Sequence, residues 1–577
     1  MAEKIIETKT CKHCQENFDI TDKDLEFYDK ISPVFKGIKY SIPAPTLCPL
    51  CRDQRRYAFR NERYLYKRNS DASWKNIISV YSPDKKYTVY SPEEWFQDNW
   101  DSLDYSPANG IDFEKPFFDQ LNELISTVPL IWLANTESEN SAYNNYVKWI
   151  KNCYMSSVIY MGSEDIYYSS WIYTSKNIFD WKSVFDSEVC YELHDCRYCY
   201  NCFYVHNCSS CNHCYFSRNL NGCNNCLFCV NLQNKEYHIF NKQVSKEEFN
   251  EYVSKLFSWS HDEIEKTKKE FNDFSITKPF IYANLTNCEN STWDNLFNSR
   301  NSHMCFDLVD IEDCKYCTSW ITKDSYDWLW WENNRCYEFS RVGWSNNVLF
   351  TFDWVQCNNV ILCFSVYNSS DLFWCVGLKN KQYCIFNKQY TKEEYEELVP
   401  QIIEHMKKTW EWWEFLPSSI SPFGYNETAA SEFYPISKNE AIDSWFNWSD
   451  YENPKPDVAK IIPASKLPDN IKDIPDDIIN WAIECELSWK PFRIIKQELD
   501  FYRKYNIPIP RMHPNQRHIN RMNKRNPRKL YDRECQNTNC AEINNTADWK
   551  PAKFKTNYSP ERKEKVYCKE CYEKEII

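Results

Sequence analysis

Glycine is nearly missing, with 7 in 577 residues against a usual share of about 7%. The seven, Gly37, Gly110, Gly162, Gly222, Gly343, Gly377 and Gly424, never cluster. A P-loop and a G-x-G-x-x-G dinucleotide turn are therefore absent, and the commonest nucleotide-enzyme readings go with them. Histidine is scarce as well, ten in the chain, and no H-E-x-x-H or comparable catalytic metal motif occurs. No run of about 18 apolar residues is present, and the stretch from Met1 to Thr10 is charged. These two features lead us to expect a cytoplasmic protein without a membrane partner. The composition of disorder is also lacking: aromatic residues make up 17% of the chain and the net charge is only −13.

What is abundant is cysteine, 29 residues arranged largely as C-x2-C. In a reducing compartment such spacing points to metal binding or buried thiols rather than disulfides. Cys11 and Cys14 with Cys48 and Cys51 form two C-x2-C pairs. Cys535 and Cys540 with Cys568 and Cys571 form a second quartet with a looser first pair. A tetrahedral Zn2+ takes two thiolates from each pair, and four cysteines leave no open position for water. We therefore expect two structural zinc ribbons, one near each end of the sequence.

The chain also repeats itself. Tyr237-His238-Ile239-Phe240-Asn241-Lys242-Gln243 recurs as Tyr383-Cys384-Ile385-Phe386-Asn387-Lys388-Gln389, and Cys190-Tyr191-Glu192 as Cys336-Tyr337-Glu338. Each copy ends at a helix start, Ser245 to Glu248 and Thr391 to Glu394, that reads as a capping box. Within the copies, short aromatic, Ile, Ser and Cys stretches are broken by Asn, Asp or Ser, as in short strands whose turns use Asn in place of glycine. The expected fold is mainly β with helices: a duplicated β-solenoid, parallel β-helix-like, flanked by N- and C-terminal zinc ribbons. Two twisted antiparallel sheets remain the alternative. The expected divisions are 1–95, the first ribbon and a second ribbon-like module; 96–133, a helical connector; 134–272 and 283–415, the two repeats with closing helices; 416–475, a linker; and 476–577, a helix from about 475 to 504, a basic segment and the last ribbon.

A second echo joins the ends. Arg60-Asn61-Glu62-Arg63-Tyr64-Leu65-Tyr66-Lys67-Arg68 matches Arg525-Asn526-Pro527-Arg528-Lys529-Leu530-Tyr531-Asp532-Arg533, and Tyr81-Ser82-Pro83 matches Tyr558-Ser559-Pro560. The alignment lays Ser70, Ser91 and Glu94 on Cys535, Cys568 and Cys571, so the module near 60–95 reads as a ribbon that has lost its ligands.

The triplets Cys196-Cys199-Cys202, Cys208-Cys211-Cys214 and Cys223-Cys226-Cys229 have the density of a zinc or iron–sulfur site. In the second copy, however, Cys196, Cys202, Cys208, Cys214 and Cys226 fall on Val342, Val348, Trp354, Val360 and Leu372. Such exchange suits core positions, where a free thiol packs as a small hydrophobe. Both readings stand, with the core reading preferred.

Two stretches, Arg52–Arg68 and Arg503–Arg533, are strongly basic beside the quartets, and the remainder is acidic. Arg55, Arg56, Arg60, Arg63, Arg517, Arg521, Arg525 and Arg528 are the candidate RNA or DNA contacts, interleaved with aromatic rings that stack on bases. The competing reading pairs the same arginines with the acidic middle of the chain or with a protein partner. No catalytic residue is assigned. His513 and His518 read as turn-orienting groups, and Glu188, Glu192 and Glu338 as carboxylates capping backbone amides. An enzyme with a site in the solenoid groove is the remaining alternative.

Cys11-Lys12-His13-Cys14, Cys48-Pro49-Leu50-Cys51-Arg52, Arg60-Asn61-Glu62-Arg63, Asn380 to Gln389 and Val566 to Tyr572 together resemble a cysteine-rich zinc-ribbon family of candidate-phyla-radiation bacteria. The resemblance implies a cytoplasmic bacterial setting and zinc-ribbon ends, and brings no established activity with it. The reading from sequence is thus a zinc-binding, non-enzymatic protein that contacts RNA or DNA, or else a scaffold for protein partners.

Overall fold

The computed structural model describes residues 3–256, 260–318, 322–329, 333–544 and 550–576. The chain divides into two compact units. The first is Met1–Leu133 with Ala283–Tyr451 and Arg528–Leu530, and the second is Ala134–Tyr282 with Glu452–Pro527 and Tyr531–Ile577.

Each unit is built on a large parallel sheet, of 14 strands in the second unit and 13 in the first. In the second unit the register advances by 12 residues per neighbour: Glu188 pairs with Tyr200, Tyr200 with Asn212, Asn212 with Asn224 and Asn224 with Glu236. The path of nine strands beginning at Glu188–Tyr191 closes on itself through the strand Tyr200–His206. The antiparallel alternative is overturned for both sheets.

A left-handed residue at every third position makes so short a repeat feasible. From Asn177 through Asp180, Ser183, Asp186, Val189, Glu192, Asp195, Tyr198, Asn201, Tyr204 and Asn207, φ lies between 48° and 64°. Four such corners fit in 12 residues, and the residue after each corner points inward. Asn and Asp hold many corners, as their local hydrogen bonding allows, but Val158, Val189, Phe216 and Leu362 hold others. The expectation of Asn-type turns was therefore too narrow.

The inward positions decide the role of the central cysteines. Cys190, Cys196, Cys199, Cys202, Cys208, Cys211, Cys214, Cys223, Cys226 and Cys229 are all free thiols and buried, sharing a core with Ile166, Ile178, Val184, Leu193 and Val205. Each thiol donates to the carbonyl two residues back, as Cys202 Sγ does to Tyr200 O at 3.4 Å. Most also face the carbonyl nine residues on, at 3.5 Å for Cys211 O. Among the described residues, no three of these thiols converge as metal ligands. In the first unit the same core is built from Cys336, Val348, Cys357, Val360, Leu372 and Cys375; the side chains of Val342 and Trp354 lie outside the described set.

The repeated Phe-Asn-Lys-Gln segment closes each sheet. Its strand turns back in a hairpin, His238 with Gln243 and Cys384 with Gln389. The Asn241 amide spans the last turn, accepting from Val230 N and donating to Val230 O, both at 2.8 Å. Asn387 does the same to Val376, at 2.8 and 2.7 Å.

The helices that matter below are α1 (Asp22–Ile31), α2 (Pro49–Tyr57), α3 (Phe117–Thr127), α4 (Lys246–Leu256), α5 (His261–Ile276), α6 (Lys392–Lys408), α7 (Lys496–Tyr505), α8 (Pro514–Met522) and α9 (Lys569–Ile576). The closing helix α6 carries the expected capping box, Thr391 with Glu394. Two expectations need correction. The 416–475 stretch is not a plain linker, because Ile420, Phe423, Tyr425, Ala429 and Ala430 are buried in the first unit. The helix expected from about 475 to 504 is instead a short 3-10 turn and a strand pair, Ala482–Glu484 with Pro491–Phe492, with α7 starting only at Lys496.

Candidate metal centres and docking arginines

Cys11 sits at the end of a strand, where its amide donates to Glu16 O at 2.9 Å and its carbonyl accepts from Gln15 N at 3.1 Å. This tight knuckle turns Cys11 and Cys14 to one side. Cys48 is the N-cap of α2, and Pro49 starts that helix without needing a donor. Cys48 and Cys51 thus complete the quartet from the helix side. The four Sγ atoms lie within 4.8 Å of one another, with Cys14 and Cys48 at 3.7 Å. A tetrahedral zinc with bonds near 2.3 Å separates its sulfurs by about 3.8 Å, so the donor set fits. The Cys48 amide donates to Cys11 Sγ at 3.2 Å. The neighbouring Cys51 thiol and amide hold Cys48 below the usual thiol range.

The other quartet, Cys535, Cys540, Cys568 and Cys571, also converges within 4.8 Å and is buried throughout. Cys540 and Cys568 are 3.9 Å apart. Amides support its sulfurs too: Cys568 N to Cys535 at 3.3 Å, and Ala552 N and the Asn544 side chain to Cys540 at 3.3 and 3.2 Å. Both quartets therefore stand together as the sequence spacing implied, and either could hold a metal ion.

The arginines are placed differently from the nucleic-acid expectation. Arg55, Arg56, Arg60, Arg517, Arg521 and Arg528 are buried, Arg63 pairs with Glu432 at 3.3 Å, and Arg525 is half-buried. On α2, Arg52 and Arg56 both grip Asp327, at 2.7 and 3.1 Å. Arg55 bridges Glu338 and Glu414, at 2.7 and 2.8 Å. In the second unit, Arg517 and Arg521 of α8 both grip Asp180, the latter at 2.9 Å. Arg528 reaches Asp53 at 3.2 Å and Asp307 at 3.4 Å. Asp180 and Asp327 are equivalent left-handed corners of the two sheets, each at φ 56° and each fully buried.

The flanking contacts repeat as well. Phe27 of α1 stacks on Tyr326 at 3.8 Å, and Phe501 of α7 stacks on Phe179 at 3.9 Å. Tyr28 meets Tyr337 at 5.3 Å, and Tyr502 meets Tyr191 at 5.9 Å. Arg52 lies over the Tyr316 ring at 5.1 Å and Arg517 over Tyr168 at 4.7 Å. The same helix pair thus docks on the same sheet positions in both units.

That repetition exposes what the sequence reading missed. Asp24-Leu25-Glu26-Phe27-Tyr28 returns as Glu498-Leu499-Asp500-Phe501-Tyr502, and Ile42-Pro43-Ala44-Pro45 through Cys48-Pro49 returns as Ile507-Pro508-Ile509-Pro510 through His513-Pro514. Cys485 matches Cys11: its amide donates to Lys490 O at 3.1 Å, and its carbonyl accepts from Trp489 N at 3.1 Å. His513 matches Cys48 as the N-cap before a Pro at the first helical position. The Ile-Pro-x-Pro echo could have found the match, but the spacing slips between its two halves.

Two of the other nominated carboxylates also meet cations. Glu338 is buried against Arg55, and Glu192 accepts Lys268 at 3.1 Å, so both pair with cations where amide capping was expected. Glu188 is exposed and His518 is buried. No helix is long and apolar enough to cross a membrane among the described residues. The chain matches no protein-family model and no curated protein.

Proposed function

We propose that the protein is a non-enzymatic scaffold in which each parallel sheet is a β-solenoid of coils close to 12 residues long, braced by zinc-ribbon modules at two structural Zn2+ sites. The observation that carries this reading is the burial of the basic residues. Five of the eight arginines that would meet phosphates, Arg55, Arg56, Arg517, Arg521 and Arg528, are instead held by Glu338, Asp327, Asp180 and Asp53. Their function is to dock the ribbon-side helices on the solenoids. A guanidinium held by a buried carboxylate cannot release counterions from a nucleic acid without breaking the unit.

The test is binding of the metal-loaded protein to mixed RNA and DNA across a salt series. We expect only weak binding. Tight binding that falls steeply as salt rises would restore the nucleic-acid reading, in which the ends of the chain contact phosphate.

A further inference from the structure

We propose that the protein contains two further ribbon modules whose metal positions have been refilled by hydrogen-bonding side chains. This rests on the zinc reading of the two cysteine quartets. The first refilled site is Ser70, Ser73, Ser91 and Glu94. Its hairpin pairs Tyr66 with Ser79 and Asn69 with Asn76, as the cysteine module pairs Tyr531 with Thr556 and Glu534 with Lys553. Its last strand, Val89-Tyr90, lies parallel to Leu130-Ile131, as Val566-Tyr567 lies parallel to Phe280-Ile281. Smaller details agree: Asp71 N donates to Val89 O at 3.0 Å, and Gln536 N to Val566 O at 3.0 Å.

At the centre, where zinc would sit, is the Glu94 carboxylate. It accepts from Ser70 Oγ at 2.5 Å and from Ser91 N at 2.9 Å, and the Ser73 hydroxyl also faces it. A metal bridging four thiolates has been exchanged for one anion bridging three serines.

The second refilled site is Cys485, Ser488, His513 and Gln516 in the other unit, at the positions of Cys11, Cys14, Cys48 and Cys51. Here Ser488 N donates to Cys485 Sγ at 3.4 Å, and His513 Nδ1 caps its helix by accepting from Asn515 N at 3.1 Å. Each unit then has two ribbons, one metal-bound and one metal-free, in opposite places.

Restoring the ligands tests this. Metal content and the charge-transfer absorbance of the Co2+-loaded form are measured for the native chain, for S70C/S73C/S91C/E94C and for S488C/H513C/Q516C. The native chain should hold two ions, which tests the zinc reading by itself, and each variant should gain a third with tetrahedral thiolate absorbance. Folded variants that stay at two ions would overturn the inference. Because the two quartets lie in different units, a variant that fails to fold leaves the other to decide.

A separate observation concerns backbone strain. Among the described residues outside the two sheets, the non-glycine left-handed positions include Trp74, Trp410, Trp413, Trp445 and Trp489, with φ between 58° and 76°. A bulky residue there is an outlier. Trp74, Trp410, Trp445 and Trp489 are also 75, 75, 80 and 70% exposed, more than any other large hydrophobic residue described. All four occupy places that favour glycine. Trp410 and Trp445 follow the C-caps Thr409 and Ser444, and the next amides bond back to Met406 O and Ala441 O at 2.9 Å each, the arrangement that glycine normally ends. Trp74 and Trp489 close the two knuckles just described.

With glycine otherwise so scarce, we infer that these four residues are encoded by UGA triplets that the native cell reads as glycine. The codons in the gene and the peptide masses of the protein from its own source test this. UGA with glycine at all four positions is expected, with UGG at the packed Trp95 and Trp181. UGG, or tryptophan in the native peptides, at the four would overturn it.

Discussion

The two units carry the same parts and place their cysteine quartets, the sites that could hold metal, in opposite ones. In the first, the quartet Cys11, Cys14, Cys48 and Cys51 lies in the module that docks on the sheet, and the neighbouring hairpin is held by Glu94. In the second, the docking module has Cys485, Ser488, His513 and Gln516, and the hairpin has the four cysteines. Docking is the same in both, through Arg52 and Arg56 on Asp327 and through Arg517 and Arg521 on Asp180. The lesson is that docking does not depend on a cysteine quartet in the docking module: aromatic stacking and buried ion pairs fix where that module sits, and a metal in either quartet would serve a small module that has too little core of its own.

The largest way to break the comparison is to remove a metal. Cys48→Ser should release the first ion and unfold its module, and Cys568→Ser should do the same in the second unit, since structural zinc carries about 10–16 kcal/mol of folding free energy in small modules. Metal content with hydrogen exchange checks this. In each case protection should be lost in one quartet and kept in the other.

Next in size is the docking carboxylate. Asp327→Ala and Asp180→Ala each take from two buried arginines a carboxylate they share, and each should cost about 3–5 kcal/mol in a denaturant titration. Similar losses in both units would support one docking mode, and a loss in only one would break it.

Glu94 comes third. Burial pulls its carboxyl upward, but the hydroxyls of Ser70 and Ser73 and the Ser91 amide prevail and hold it below the usual range. A depressed carboxylate contributes stability above its unfolded pKa, about 4.3, and loses that contribution as pH falls through the folded value. Glu94→Gln should cost about 1–3 kcal/mol at neutral pH and flatten the acid limb of stability around that hairpin, read by hydrogen exchange between pH 3 and 6. The smallest effect belongs to a helix cap: Thr391→Ala should lower stability by about 1 kcal/mol.

How much of this was legible in the sequence depends on what each position must do. The two quartets were plain, because tetrahedral coordination tolerates only a few spacings. The hairpin echo was plain too, through Tyr-Ser-Pro and Arg-Asn, and so were the core thiols, because Val and Leu replace them in the other copy. The 12-residue register was not read, although the Cys-x2-Cys-x2-Cys rows mark the inward residues that follow successive left-handed corners. Ser, Trp, Leu and Val fill one column, as in Ser169, Trp181, Leu193, Val205 and Ser217, so neither size nor identity repeats from one turn to the next. The arginines were recognised as important, but their partner stayed open between phosphate and the acidic middle of the chain, because composition does not say which group a guanidinium will meet. Asp180 and Asp327 have no sequence signal beyond the aromatic residue before them and the Trp after them. The docking module of the second unit is hidden in the sequence because Ser488, His513 and Gln516 stand where the first unit has Cys14, Cys48 and Cys51.

The most direct test of the account is a count of metal ions bound to the intact protein by native mass spectrometry, with Cys48→Ser and Cys568→Ser alongside. The account predicts two zinc ions per chain, falling to one in each variant, with the central thiols contributing none. Four or more ions, or two that survive both substitutions, would place metal among the central cysteines and contradict it.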